Sequence, residues 1–156
     1  MTRSRNKYML FSSIKLVVLQ DWQDMASVAG LMYAIGLILR IPRAAGICWF
    51  APVCSSFSWM SRSSNFRCHA FPVGDMSKLQ VRLGNMFLAR CLLMIRLCAS
   101  RNLIWILEQP LCSVAFRTPR FQQLLKDLCP ACRTIKLWDF GASSSKPLRP
   151  LVDNAD

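Results

Sequence analysis

Short apolar runs that end in small, polar loops constrain this chain more than any other feature. Gly46-Ile47-Cys48-Trp49-Phe50-Ala51 is apolar without alternation and passes directly into Pro52-Val53-Cys54-Ser55-Ser56-Phe57-Ser58. Leu103-Ile104-Trp105-Ile106-Leu107 passes into Glu108-Gln109-Pro110, and residues 133–140 pass into the loop 141–147. Runs of this length without polar alternation read as strands covered on both faces. An earlier run, residues 14–19, is rich in branched side chains and reads as a fourth strand.

The stretches between these runs are helical in pattern. Residues 24–39 are apolar nearly all round, with small residues (Ala26, Ala29, Gly30, Ala34, Gly36) that permit close packing; Asp24 is the expected cap and Pro42 the stop. Residues 77–99 are amphipathic: Arg82, Asn85, Arg90, Arg96 and Arg101 project on one side, and Leu83, Phe87, Met94 and Leu97 on the other. That arginine stripe is expected to be a solvated face. Thr118-Pro119 opens a further helix carrying Phe121, Leu124, Leu125 and Leu128. Strand and helix thus alternate, which predicts an α/β fold: a partial doubly wound, mostly parallel, Rossmann-like sheet with helices on both faces. A flexible basic N-terminus over 1–13, a single domain over 14–148 and a polar tail over 149–156 complete the expected organisation.

The chain has 156 residues, of which 53% are hydrophobic and only 18% charged. So little charge leaves apolar surface that a missing segment or a protein partner would cover. Twenty Lys and Arg against eight Asp and Glu give a net charge of +12, which points to a polyanion such as DNA or RNA as a partner. No membrane span is expected: residues 25–39 fall short of the ~20 residues a spanning helix takes, and residues 86–107 are interrupted by Arg90, Arg96 and Arg101. The apolar run after the basic N-terminus is broken by Ser12, Ser13 and Lys15, unlike a secretory signal. The eight cysteines fit a reduced intracellular setting, nucleus or cytoplasm. Cys129-Pro130-Ala131-Cys132 is a lone C-x-x-C in a chain with a single histidine, His69, so no metal site is expected.

In a doubly wound sheet the loops after successive strands share one edge. A thiol (Cys54), a carboxylate (Glu108) and a lysine (Lys146) would then meet in one cleft. A thiolate is a strong nucleophile at neutral pH, and nearby Arg62, Arg67 or Lys146 would favour it. Trp59, beside the cysteine loop, is placed to stack on a base. His69 lies in the long loop 52–75 and is either a general base or an exposed, uninvolved side chain.

These residues carry a resemblance. Pro52-x-Cys54-x-x-Phe57-Ser58 after an apolar strand resembles the Pro-Cys-Gln-x-Phe-Ser loop of DNA cytosine-5 methyltransferases. Glu108-Gln109-Pro110 stands where that family has Glu-Asn-Val, and Phe140-Gly141 with a basic loop stands where it has Tyr-Gly and a Gln-x-Arg-x-Arg segment. The ordered set spans about residues 20–150. It implies that Cys54 attacks C6 of a flipped-out cytosine while Glu108 holds the N3/N4 edge, with S-adenosylmethionine as methyl donor. It further implies Pro52, Ser55, Ser58 and Gln109 around the substrate, and Arg62, Arg67 and Lys146 on phosphates. The departures are equally specific. No Phe-x-Gly-x-Gly cofactor turn is present, Ser55 replaces the glutamine after the cysteine, Gln109-Pro110 replaces Asn-Val, and the arginine pair shrinks to Lys146-Pro147. The expectation is a diverged or truncated methyltransferase-like domain, weakly active or inactive alone, with doubtful cofactor binding. The alternatives are a non-enzymatic basic fragment that binds nucleic acid or protein and, further off, a membrane-associated protein.

Overall fold

The computed structural model describes residues 25–136 and 147–152. The expected strand at 14–19, the cap Asp24, most of the expected strand at 133–140 and Lys146 lie outside the described residues. Helix α1 (Val28–Arg40) leads to strand β1 (Ile47–Phe50). A long loop holds two 3-10 turns and the single-turn α2 (Arg62–Asn65). Then come α3 (Leu79–Ser100), β2 (Ile104–Pro110), a 3-10 turn at Val114–Arg117, α4 (Pro119–Leu128), β3 (Ala131–Cys132), β4 (Ile135–Lys136) and β5 (Pro147–Val152).

The fold is α/β, as the alternation implied, but the sheet is mixed. β1 and β2 are parallel, with Phe50 opposite Leu107. β5 then runs antiparallel beside β2, with Leu151 opposite Leu107 and Arg149 opposite Gln109. β3 and β4 pair antiparallel along the other edge of β5. The physical reason lies in the connections. β1 and β2 are joined through α3, whereas the segment between β4 and β5 is shorter than the dozen or so residues a parallel crossover takes. Residues read as a loop end and a polar tail, 147–152, therefore form an interior strand. Pro150 is tolerated there because its carbonyl accepts from Arg133 N–H at 3.2 Å, across the break between β3 and β4. Its nitrogen faces the same way, away from β2, so no bond of the β2–β5 ladder is lost.

Nor are both sheet faces covered among the described residues. Along β2, Leu103, Trp105, Leu107 and Gln109 are buried while Ile104 is 40% exposed, and Trp49 on β1 is 58% exposed. The alternation of a half-covered sheet is present in structure although every residue of the run is apolar. α3 packs on the covered face against β2, α1 and α4. Its buried stripe is Val81, Gly84, Leu88, Cys91, Ile95 and Cys98, and Phe87 and Leu97 pack partly against the core. α3 is long and apolar enough to cross a membrane by length and composition alone; in this fold it packs against β2, α1 and α4.

The arginine stripe of α3 is a set of ties. Arg90 donates to the carbonyls of Met25 and Ser27 at the start of α1. Arg101 donates to those of Leu39 and Ile41 at its end, at 3.1 and 2.6 Å. The terminal carbonyls of α1, which have no partner within the helix, are thus met by a cation. Ser27 caps the other end, accepting from Gly30 N–H at 2.9 Å. Arg96 pairs with Asp127 of α4 at 2.6 Å.

Replacing Arg101 with alanine is expected to cost about 1–2 kcal/mol, read as a lower urea midpoint with an unchanged slope. The Asp127 carboxyl is held below its ordinary value chiefly by the Arg96 hydrogen bond, then by Gln123. A depressed carboxyl stabilises the fold above its unfolded value, about 3.9, and that contribution vanishes as pH falls through the folded value. Asp127→Asn is therefore expected to flatten the loss of melting temperature below pH ~4, measured by thermal scans across acidic buffers.

Candidate functional site

Because β1 and β2 are parallel neighbours in register, the chain leaves both at the same edge. After Phe50, Pro52 is buried, Cys54 takes a turn conformation (φ −90°, ψ −11°) and Ser55–Phe57 forms a 3-10 turn. Phe57 anchors that turn at 1% exposure. Ser58 accepts from Met60 N–H, and the Ser61 hydroxyl donates to the Ser55 carbonyl. The small residues that follow the cysteine thus serve the loop's own tight winding.

Two bonds join this loop to the end of β2. Gln109 Nε2 donates to the Pro52 carbonyl at 2.9 Å, and Gln109 Oε1 accepts from the Ser113 hydroxyl at 3.0 Å. Gln109 is 1% exposed. Its amide latches the Pro52-x-Cys54 segment to Glu108-Gln109-Pro110, so it is not available to a substrate as the sequence implied.

Arg67 lies inside the fold as well, in place of the phosphate contact expected of it. It is 1% exposed. Nη1 donates to the carbonyls of Pro72 and Val73 and to Asn85 Oδ1, at 2.7, 3.0 and 2.9 Å. Nη2 donates to Ser56 Oγ at 2.9 Å and the Val81 carbonyl at 3.2 Å. The guanidinium lies 4.1 Å from the centre of the Phe57 ring. Burial pulls its pKa down to about 10, which leaves it charged at neutral pH. Two glycines clear the space. A Cβ on Gly84 would meet Ser56 Oγ at 2.5 Å, and one on Gly74 (φ +73°) would meet Arg67 Cγ at 2.6 Å. Asn65 helps close the cage, donating to the Ser56 carbonyl and accepting from Arg67 N–H.

The remaining expected residues are placed as follows. Cys54 is half-buried, and Ser55 and Arg62 are exposed. Glu108 is half-buried and, by strand alternation, on the face opposite Trp105, Leu107 and Gln109. No hydrogen bond or ion pair joins Cys54 to Glu108 among the described residues. The thiols shifted by their surroundings lie elsewhere: burial pushes Cys91 up to about 12, and a bond between Cys48 and Cys98 lowers the first and raises the second. Buried thiols of this kind are structural. Among the described residues no group of His, Cys, Asp and Glu is arranged to hold a metal.

Among the described residues, none of the glycines at 36, 46, 74 and 84 forms an open cradle of the kind S-adenosylmethionine would take. A glycine cradle would leave open backbone facing the cofactor. Here Gly46, Gly74 and Gly84 are crowded by Ile41, Arg67 and Ser56 respectively, and Gly36 lies within α1. A hollow of about 400 Å³ does open between the loop and α3, lined by Val53, Ser55, Ser61, Ser64, Leu83 and Phe87 among others. It holds hydroxyls and apolar carbons without a charged group. A second cleft, of about 300 Å³, lies beyond the end of β2 and gathers His69, Cys112, Arg117 and Arg149. Sequence reasoning missed it, because Arg149 was assigned to the tail and Arg117 had no motif around it. No protein family, no curated protein and no solved structure matches the chain.

The cage around Arg67 predicts an asymmetric response to substitution. Arg67→Ala leaves several buried acceptors without donors and is expected to cost about 3 kcal/mol or more. Arg67→Lys is expected to rescue little, since an ammonium cannot span the same acceptors. Chemical denaturation of both variants checks this; a lysine variant of wild-type stability would exclude the cage as described.

Proposed function

We propose that the chain is a diverged cytosine-5 methyltransferase-like domain that binds nucleic acid at the edge where β1 and β2 end and transfers no methyl group on its own. The single observation that carries this is the Gln109 latch, which holds the two family-like segments together at one edge. The parallel β1–α3–β2 unit is compatible with one element of a doubly wound sheet, and an antiparallel strand added to a parallel sheet is common in such folds. The net charge of +12 supplies the attraction for a polyanion.

The chemistry open to Cys54 is addition to an electron-poor ring carbon: its sulfur bonds to C6 of cytosine, and the displaced C5–C6 electron pair moves toward C5. Glu108, sharing a proton, would hold the N3/N4 edge, which requires its side chain to turn toward the loop. Arg62 stands on the same loop as a phosphate contact. The crowded glycines and the absent Phe-x-Gly-x-Gly turn support binding without methyl transfer.

The test is fluorescence polarisation with cytosine-containing oligonucleotides at 50 and 200 mM salt, beside a tritium assay with labelled S-adenosylmethionine. Binding that weakens at least tenfold across that range, with background transfer, is expected. Methyl transfer lost in Cys54→Ser would overturn the inactive part. Failure to bind single- or double-stranded DNA or RNA would overturn the whole.

A further inference from the structure

Among the described residues, the cleft beyond β2 carries positive charge that no carboxylate answers. Its walls are His69 from the long loop, Cys112 and Ser113 after β2, Phe116 and Arg117 from the 3-10 turn, and Arg149 from β5, with Leu111 completing them. No Asp or Glu is among them. We propose that this cleft binds a phosphate group, gripped between Arg117 and Arg149.

Arg149 is built into place. Its guanidinium carbon lies 5.5 Å from the centre of the Phe116 ring. That ring is buried and held edge-on by Phe121, with centroids 5.1 Å apart and planes at 67°. The strand ladder fixes the Arg149 backbone opposite Gln109. Its Nε is buried with no hydrogen-bond partner, and no other guanidinium nitrogen bonds a described residue. Arg67, whose Nε is likewise buried without a partner, shows the contrast at its terminal nitrogens: there, five neutral acceptors take up the Nη donors. Neighbouring polar groups at the cleft are already committed, since the Ser113 hydroxyl serves Gln109. A planar fork with unused donors, backed by an aromatic ring and sharing a cleft with a second arginine, matches the oxygens of a phosphate. Arg117 is exposed at the rim and Cys112 is exposed beside it.

A phosphate can come from a nucleic-acid strand, in which case the cleft belongs to the binding edge proposed above, or from free phosphate and small phosphorylated molecules. Cys112 reports occupancy. The full chain is alkylated with iodoacetamide, and Cys112 is followed by peptide mass spectrometry against exposed Cys132 as a control. Inorganic phosphate or a single-stranded oligonucleotide is expected to slow Cys112 several-fold and leave Cys132 unchanged. Arg117→Ala, at an exposed position that folding does not need, is expected to abolish that protection and weaken oligonucleotide binding about tenfold, with a shallower salt dependence by about one phosphate. Arg149→Gln is expected to do the same. Protection by phosphate alone assigns the cleft to small ligands and removes it from the nucleic-acid edge, leaving the phosphate site standing. Oligonucleotide binding that neither protects Cys112 nor responds to Arg117→Ala overturns the cleft while leaving the nucleic-acid proposal intact. No protection by either probe at millimolar concentration overturns the phosphate site.

Discussion

A buried cation with no carboxylate beside it organises the upper half of this domain. Arg67 threads from the long loop to α3 and satisfies its terminal Nη donors on Ser56, Pro72, Val73, Val81 and Asn85. Burying a charge is expensive unless its donors are met, and here neutral oxygens meet the two Nη groups and the face of Phe57 backs the guanidinium, while Nε alone is left without a partner. A charge placed this way demands that all of its acceptors arrive together. The loop from Ser55 to Asp75, which lacks strands of its own, is thereby given one conformation. Gly74 and Gly84 are part of the same solution, because a side chain at the first would collide with Arg67 and one at the second with Ser56, which accepts from Arg67.

The loop so fixed reaches the sheet through Gln109 and Pro52. Cage and latch together set where Cys54 sits relative to the end of β2. They do so with residues that the motif comparison had assigned to substrate, Arg67 and Gln109, which are spent on the fold. What faces outward is different: Cys54 half-buried, Ser55 and Arg62 exposed, and beyond Pro110 a cleft with two arginines and a histidine. A basic chain that buries one arginine in neutral contacts and leaves another with unused donors treats the same residue type in two ways. The difference is the number of acceptors each meets.

Much of the fold was legible. β1 and β2 fall where the apolar runs placed them, α3 and α4 begin within a few residues of their cues, and Pro119 opens α4 as read. Runs of branched and aromatic residues bounded by Pro, Gly and polar clusters report local preference, and local preference decides these elements. The sheet's polarity was not legible. Leu148, Leu151 and Val152 lie among prolines and an arginine, a pattern that carries no strand signal by itself, and β5 exists because β2 offers it a ladder and Leu107 a partner for Leu151. The fates of the arginines were equally hidden. A stripe at helical spacing shows which side chains share a face, but not that Arg90 would meet carbonyls just before α1 and Arg101 those at its end.

The sequence by itself determined the alternation of elements, the two apolar strands, the cysteine and glutamate at their ends, and the excess of positive charge. These follow from composition and short-range spacing. Tertiary structure decided which cations are consumed and which remain available, which sheet face is covered, and that the final strand runs backward. Those outcomes depend on contacts between residues far apart in the chain, where the balance of desolvation against hydrogen bonding is struck only once the partners meet.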